Sequence, residues 1–549
     1  MSKILRLFSL FCLTILMPIT LHAEGVEFQA ELGYLRLSLT DCIEMAFRNN
    51  LDVEIARFNP RIGDKDISIA RARFDPVVNA TAEIRKDETP LNSIFITGFA
   101  PVEFDNNKKL LDATLSTLTP TGATLSVNYD TLGQLRFPAG FISPDTQSIT
   151  GTVIINGVPQ NNIVLQQLLG GGSFVPTFPI NPSFDSFFEA KVTQPLLKGF
   201  GIFYNMAPIY IARNNKKKSI YALKQTLSEV ANNTQKAYWD LVNAIGDLKA
   251  ANKSLQRAEE FYRRNKLQVD AGTLAPIELV AAEEEVAARQ QLIIVAENNV
   301  KNKEDTLKQF MNLIGPAADP VLMDSAVIPL DTPQFLPKKI SLENALQVAM
   351  ERRPELFENR LNLENTEIAV KQKKNELLPK LDLEGGVRYS GLGKRWNDST
   401  NSTWSYDFQG EYTRLTLSVP LGLRSERANY AKAKFARRQA ELTLQKVERD
   451  ILVQVRAAVR QVNTNIERVL ASRKTRELAE KRLDAEVKKF NVGRSIILEV
   501  FRAQEALTIA EVAENKSITD FQSSLGELEL AKGTMLEYYG VVLEGQLGY

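Results

Sequence analysis

Of the side chains that usually act as bases, nucleophiles or soft metal ligands, the 549-residue chain holds one histidine, His22, and two cysteines, Cys12 and Cys42. Serine or cysteine nucleophiles of the triad kind need an imidazole within hydrogen-bond reach, and a Cys/His metal cluster needs three or four such ligands. One histidine close to the N-terminus supplies neither. Carboxylates are plentiful, 66 in all, but no pair among so many stands out by its spacing. Lys216, Lys217 and Lys218 form a short basic run near the start of a helix and read as a solvated face. No catalytic, cofactor-binding or metal site is therefore assigned, and no cofactor is expected.

The first residues have the order of an export signal. Lys3 and Arg6 precede an apolar run from Leu7 to Ile19 that holds Pro18, followed by Leu21-His22-Ala23. A spanning helix needs about 20 apolar residues, and this run is shorter. Residues 1–23 are expected to be a signal peptide cleaved after Ala23. Cys12 lies within the apolar run without the small residues of a lipoprotein site, so no lipid anchor is assigned. Cleavage would remove His22 and leave 65 basic residues against 66 acidic ones, a net charge of about −1. A chain so balanced has no global electrostatic reason to seek nucleic acid.

The elements themselves are unusual. From Leu423 to Val492 there are 70 residues without glycine or proline. Within them Leu444, Val447, Ile451, Val455, Val459, Val462, Ile466 and Val469 recur at steps of three or four, which is helical periodicity. Such a helix is roughly 100 Å long at 1.5 Å per residue. It is too charged to lie in lipid, and its narrow apolar stripe is that of a coiled coil. Gly493 interrupts it before a second run, Arg494 to Leu525. The first half repeats the plan around Gly272, with arms Ile209–Ala271, interrupted by Gly246, and Pro276–Leu313. Pro276 suits a first helical turn, where its missing N–H costs nothing.

Between the helices the period changes to two. Val78, Ala80, Ala82 and Ile84 alternate with polar residues, as do Phe188, Ala190 and Val192, Leu381, Leu383, Val387 and Tyr389, and Leu415, Leu417 and Val419. Extended to about 9–11 residues, such runs fit tilted transmembrane strands with one face to lipid and one to a polar lumen, although a half-buried soluble sheet alternates in the same way. Four strands cannot close a barrel, so a membrane role requires oligomerisation. A further hairpin pattern runs from Ala113 to Tyr129 around Thr119-Pro120-Thr121-Gly122, and the pattern alone leaves open whether it joins the sheet. Thr131 to Ser186, with Gly170-Gly171-Gly172, reads as a long loop.

The halves are related. Leu37–Pro76 overlays Ile340–Pro379 at a constant offset of 303, pairing Ser38 with Ser341, Ala46 with Ala349, Arg57 with Arg360 and Pro76 with Pro379. VDAGTLAPIELVAAEE from Val269 overlays FNVGRSIILEVFRAQE from Phe490 at an offset of 221. These registers point to internal duplication, with a first structural repeat over 24–333 and a second over 334–549, joined by a proline-rich stretch.

The paired openings LSLTDCIEMAFRNN and ISLENALQVAMERR, the strand-to-helix junctions VTQPLLKGFG and LSVPLGL, and the two glycine tips resemble the TolC family of outer-membrane efflux proteins over nearly all of the mature chain. The resemblance implies a mainly α fold with a transmembrane β-barrel portion. Long antiparallel coiled-coil hairpins would form a periplasmic tunnel, and a homotrimer would share a 12-stranded barrel. It implies a passive channel of a tripartite efflux or type I secretion system, not an enzyme, in the cell outer membrane with a large periplasmic extension. The implied partners are outer-membrane lipid, a periplasmic adapter (membrane fusion) protein and an inner-membrane RND, ABC or MFS pump. The alternative reading, a structural or adhesive coiled-coil envelope protein, leaves the duplicated strand pairs without a reason.

In that family, acidic residues one helical turn apart on the second tip line the periplasmic aperture. Glu499 occupies the first of these positions, but Arg502 stands at the second. Three glutamates facing a pore would favour cations, and three arginines one turn away could pair with them. An ordinary i,i+3 surface pair is the plainer reading of the same two residues. Gly272 and Gly493 would sit at tip turns, with Thr273, Leu274, Arg494 and Ser495 facing the adapter. GLGKRW at Gly391 lacks the spacing of a phosphate-binding loop and is assigned to an extracellular turn.

Overall fold

The computed structural model describes residues 33–91, 102–134, 150–155, 158–164, 183–272, 275–316 and 319–541. Residues 1–23, read as a signal, lie outside this set. The chain divides into two compact units, each drawing on both halves of the sequence. Of the described residues, one unit holds those up to Asn50 with those of Val230–Lys338 and Val462–Gly526, and the other those of Leu51–Glu229, Lys339–Gln461 and from Glu527 on.

The first unit opens with β1 (Tyr34–Leu37) and α1 (Leu39–Asn49). Ser38 caps α1, its Oγ accepting from Asp41 N–H while the Asp41 carboxylate accepts from Ser38 N–H at 2.9 Å, the reciprocal box that satisfies two orphan donors. β1 pairs in parallel with β8 (Ala326–Pro329), which follows the short α5 (Pro320–Asp324). Leu35, Leu37, Cys42, Leu241, Leu307, Met311 and Val327 are buried together around Tyr238. The Tyr238 hydroxyl donates to Asp331 Oδ2 at 3.0 Å, and that oxygen also accepts from Leu39 N–H at 2.7 Å.

Four helical stretches complete this unit, taken from the long helices α3 (Ile202–Asp270), α4 (Pro276–Phe310), α9 (Arg424–Asn491) and α10 (Ile497–Lys532). α3 and α9 run for 69 and 68 residues. The expected arms are thus helices, with α3 beginning earlier than the periodicity predicts because Pro208 is accommodated in its second turn. α10 runs through Gly526 instead of stopping before it, because Gln235 of α3 occupies the space where a Cβ would stand.

In the second unit, α2 (Leu51–Arg71) precedes β2 (Val77–Leu91), β3 (Val102–Leu118), β4 (Thr124–Gln134) and β7 (Ser183–Pro195). Its later part has α6 (Leu342–Arg352), α7 (Pro354–Asn375), β9 (Lys380–Gly393), α8 (Trp396–Trp404) and β10 (Gln409–Ser418). Six strands form one antiparallel sheet in the order β10-β9-β7-β4-β3-β2. The hairpin left open by the sequence pattern is in the sheet, so among the described residues this sheet has six strands where the resemblance implies four. Register puts Val78, Leu115 and Val127 in one row across the sheet, and Ala80, Ala113, Tyr129 and Phe188 in another on the same face. One face is accordingly apolar, while Thr114 and Asn128, hydrogen-bonded at 3.0 Å, lie on the polar one.

Two readings are corrected. Part of the expected loop from Thr131 is a two-stranded hairpin, β5 (Thr150–Ile155) with β6 (Val158–Val164), and β4 itself runs to Gln134. The segment at Gly391 is the end of β9 and the approach to α8, not a simple turn. α8 packs on the apolar face, Thr400 Oγ1 lying 2.9 Å from Tyr129 Oη and the Trp404 ring 5.3 Å from Phe188. Gly391 and Gly393 permit this approach, since a Cβ on either would collide with α8.

Candidate functional site at the helix tips

Each long arm stops at a glycine in the left-handed region. α9 ends at Asn491, and Gly493 adopts φ +71°. Gly493 N–H donates to Phe490 O at 2.9 Å and Arg494 N–H to Lys489 O at 2.8 Å, the paired bonds of a Schellman cap. Gly272, φ +73°, closes α3 in a similar way, with its N–H on Val269 O at 2.9 Å. α4 then starts at Pro276 with Ala275 as its N-cap. Thr273 and Leu274, assigned to adapter contact, lie outside the described residues.

The two tips share one small core. Phe261 of α3 and Ala282 of α4 are buried with Ile497 and Val500 of α10. The Phe261 ring lies 5.4 Å from Phe490 and 5.6 Å from Phe501. A cleft of about 440 Å³ runs beside this core, lined by Gln268 and Glu278 from the first tip and by Phe490, Gly493, Ser495 and Ile497 from the second. Among the assigned residues, Gly493 and Ser495 thus share one feature with the first tip. Ser495 Oγ donates to Glu486 Oε2 at 3.0 Å. Lys489, then Ser495, hold the Glu486 carboxyl below its usual range by hydrogen bonding to its charged form. Arg494 is exposed.

Arg502 Nη1 donates to Glu499 Oε1 at 2.6 Å across one helical turn, and both side chains reach solvent in the subunit. A pair of this kind is worth a few tenths of a kcal/mol. Sequence reasoning misses the Phe261, Phe490 and Phe501 core, and also a set of apolar side chains left uncovered at the tips. Leu267, Ile277, Val492 and Ile496 are each more than 60% exposed. Their signal is in the sequence: apolar residues off the helical stripe next to a tip glycine.

Among the described residues, no group of three or more His, Cys, Asp or Glu side chains is placed to hold a metal ion. No described helix is long and apolar enough to cross a membrane. The tips offer a cleft, an ion pair and exposed apolar side chains.

Comparison with known proteins gives the family. The family model of the outer membrane efflux protein matches residues 188–313 and 345–534. The outer membrane protein TolC of Vibrio cholerae serotype O1 is 23% identical over 305 residues, which are 55% of this chain and 67% of that protein. The Campylobacter jejuni CmeC outer membrane channel aligns with a TM-score of 0.59 at 15% identity, over 90% of this chain and 86% of CmeC. The outer membrane protein VceC of Vibrio cholerae aligns at 0.60 and 12% identity over 90% and 96%. The open state of the Neisseria gonorrhoeae MtrE channel aligns at 0.56 and 15% identity over 91% and 89%. With more than half of its length matched by the family model, the chain belongs to the outer membrane efflux protein family, a transport protein of the outer membrane and not an enzyme.

Proposed function

We propose that the chain is one subunit of a homotrimeric duct in a tripartite efflux or type I secretion system. Substrate crosses it passively, and energy comes from an inner-membrane pump of the RND, ABC or MFS class. The observation that carries this reading is continuity: β7 and β10 each lead within a few residues into a helix of 69 or 68 residues that ends at a glycine tip. A sheet with one apolar face suits hydrocarbon, and the charged helices suit water. An adhesive coiled coil would have no use for the sheet.

The tips are the docking site for a periplasmic adapter in this proposal. Gly272 and Gly493 form the turns, and Arg494 and Ser495 are assigned to adapter contact together with Thr273 and Leu274, which lie outside the described residues. Glu499 and Arg502 form the aperture. Threefold repetition would place three such pairs around the axis, and each arginine offsets the repulsion its glutamate would otherwise meet. The test is single-channel conductance in planar bilayers, wild type beside Glu499→Ala/Arg502→Ala, with the oligomeric mass measured in detergent. A trimer with small conductance that rises in the variant is expected. A monomer that never conducts would remove the proposal.

We also propose that residues 24–333 and 334–549 are structural repeats. The joints of the two opening helix pairs support this. Asn50 and Arg353, one offset of 303 apart, each donate their backbone N–H to the helix before them, to Ala46 O at 2.9 Å and Ala349 O at 3.1 Å. Each side chain then reaches a carbonyl near the end of a long helix, Phe310 O at 3.0 Å and Leu530 O at 3.2 Å. An experimental structure in which 39–71 and 342–375 fail to superpose would end this reading. Cleavage after Ala23 is checked by the mass of the mature N-terminal peptide.

A further inference from the structure

Among the described residues, the six-stranded sheet ends on β2 at one side and β10 at the other. Every neighbouring pair within it is antiparallel. Because six is even, β2 and β10 run in opposite directions, so β10 of one copy laid beside β2 of the next continues the antiparallel pattern. The faces also agree. Carried through the register, the face holding Val78, Ala80, Ala82 and Ile84 on β2 is the face holding Leu415 and Leu417 on β10. Val78, Ile84, Leu415 and Leu417 are among the exposed large apolar residues of the subunit, with Ile84 at 84% and Leu417 at 63%.

Edges that face water are normally blunted by charge, proline or a bulge. Between Val77 and Ala82 the β2 edge has neither charge nor proline, and its pairing with β3 is without a bulge. An open edge is not tolerated in hydrocarbon, so these edges call for a strand.

The additional hairpin is built into the sheet at the end nearest the strand-to-helix junction. Thr119 N–H donates to Ala123 O at 2.7 Å to close the β3–β4 turn, and Gly201 N–H donates to Thr121 O at 3.1 Å. Thr121 Oγ1 donates to Gln194 Oε1 at 3.2 Å. Gly122 has φ +94°, and a Cβ there would stand 2.6 Å from Gly199 O. On β3, Thr117 Oγ1 donates to Phe74 O at 2.9 Å. The hairpin is therefore held between β2 and β7 by specific bonds.

We infer that each copy contributes six strands to the barrel, that β10 of one copy pairs with β2 of the next, and that three copies close an eighteen-stranded ring in place of the twelve the resemblance implies. The inference rests on the trimer proposed above. Barrel diameter grows roughly linearly with strand number, so the opening in the membrane is about one and a half times as wide as a twelve-stranded one.

The test is electron cryomicroscopy of the full chain in lipid nanodiscs, counting strands in cross-section. It is paired with oxidative cross-linking of cysteines placed at Ala80 or Ala82 on β2 together with Thr413 or Leu415 on β10. Eighteen strands are expected, with covalent dimers and trimers from at least one double variant and none from the single ones. A trimer with a twelve-stranded barrel would overturn the inference and leave the channel reading intact. Absence of a trimer and of conductance would overturn both.

Discussion

Gly246 of α3 lies directly against the side chain of Asn515 on α10, whose amide donates to Asn243 O at 3.0 Å and to Asp247 Oδ1 at 3.2 Å. A Cβ at position 246 would meet Asn515 Cγ at 2.6 Å. Helix propensity alone favours Gly246→Ala by about 1 kcal/mol. The close approach predicts the opposite sign, since the amide would have to leave its acceptors. We expect Gly246→Ala to destabilise the protein by about 1–3 kcal/mol in urea unfolding followed by circular dichroism. A gain in stability would show that propensity wins and that the contact yields.

Gly122 and Gly493 both have positive φ, but only Gly122 is crowded, by Gly199 O and Asn205 Nδ2. Gly493 has open space where its Cβ would be. Gly493→Ala should therefore cost only the left-handed strain, about 1–2 kcal/mol, with assembly intact. Gly122→Ala carries that strain and the collision, and should sharply lower the yield of membrane-inserted oligomer. Blotting of outer-membrane fractions after heat-free electrophoresis ranks the two; equal yields would contradict the ranking.

Arg353 is buried at the joint between α6 and α7. Its guanidinium donates to Gln454 Oε1 at 2.7 Å and Leu530 O at 3.2 Å and lies 3.0 Å from Glu355 Oε1. Arg353→Ala strands the Glu355 carboxylate and should cost about 3–5 kcal/mol in chemical unfolding. Much of that cost belongs to the unpaired charge. Arg353→Met/Glu355→Gln should then recover a large part of the loss, and a double variant as unstable as Arg353→Ala would refute this division.

Glu358 shows what pH does to the same region. Burial first, then the neighbouring Glu355, raise its carboxyl pKa, with Lys218 opposing, and its Oε1 accepts no hydrogen bond. A raised folded pKa means that the native state holds the proton more tightly than the unfolded chain. This group's contribution is thus most favourable at low pH and is lost as pH rises from about 4 through the folded value. Glu358→Gln should stabilise the protein by about 1 kcal/mol at most at pH 7.5, after allowing for solvent screening, and by nearly nothing at pH 4. Unfolding midpoints measured at the two pH values check it, and an equal gain at both would be inconsistent with titration of Glu358.

The long helices are legible in the sequence because their signals are local: unbroken runs without glycine or proline, a stripe at steps of three or four, and Gly493 at the stop. The strands are legible for the same reason, through a period of two. What alternation leaves unstated is which strands meet, because pairing is settled by contacts far apart in the chain. The β3–β4 hairpin is placed by Gly122 against Gly199 and by Thr121 on Gln194, more than 70 residues away. α8 is hidden for another reason: WNDSTNSTW has no apolar stripe and docks through Ser399 and Thr403, which fit the gaps left by Gly391 and Gly393. At the tips, glycine placement and the Glu499–Arg502 spacing are readable, whereas the aromatic core joins residues from both arms and needs the fold to bring them together.

Cys42 has a practical consequence. It is fully buried beside Tyr238, and burial, reinforced by Asp41 and Asp331, drives its thiol pKa far above the ordinary range. Only the thiolate reacts with maleimides or exchanges with disulfides, and this thiol almost never ionises. If Cys12 departs with the leader, the mature chain is silent to such reagents in its native form. A spin label or fluorophore attached at any introduced cysteine would report from that position alone, with the wild-type sequence otherwise kept.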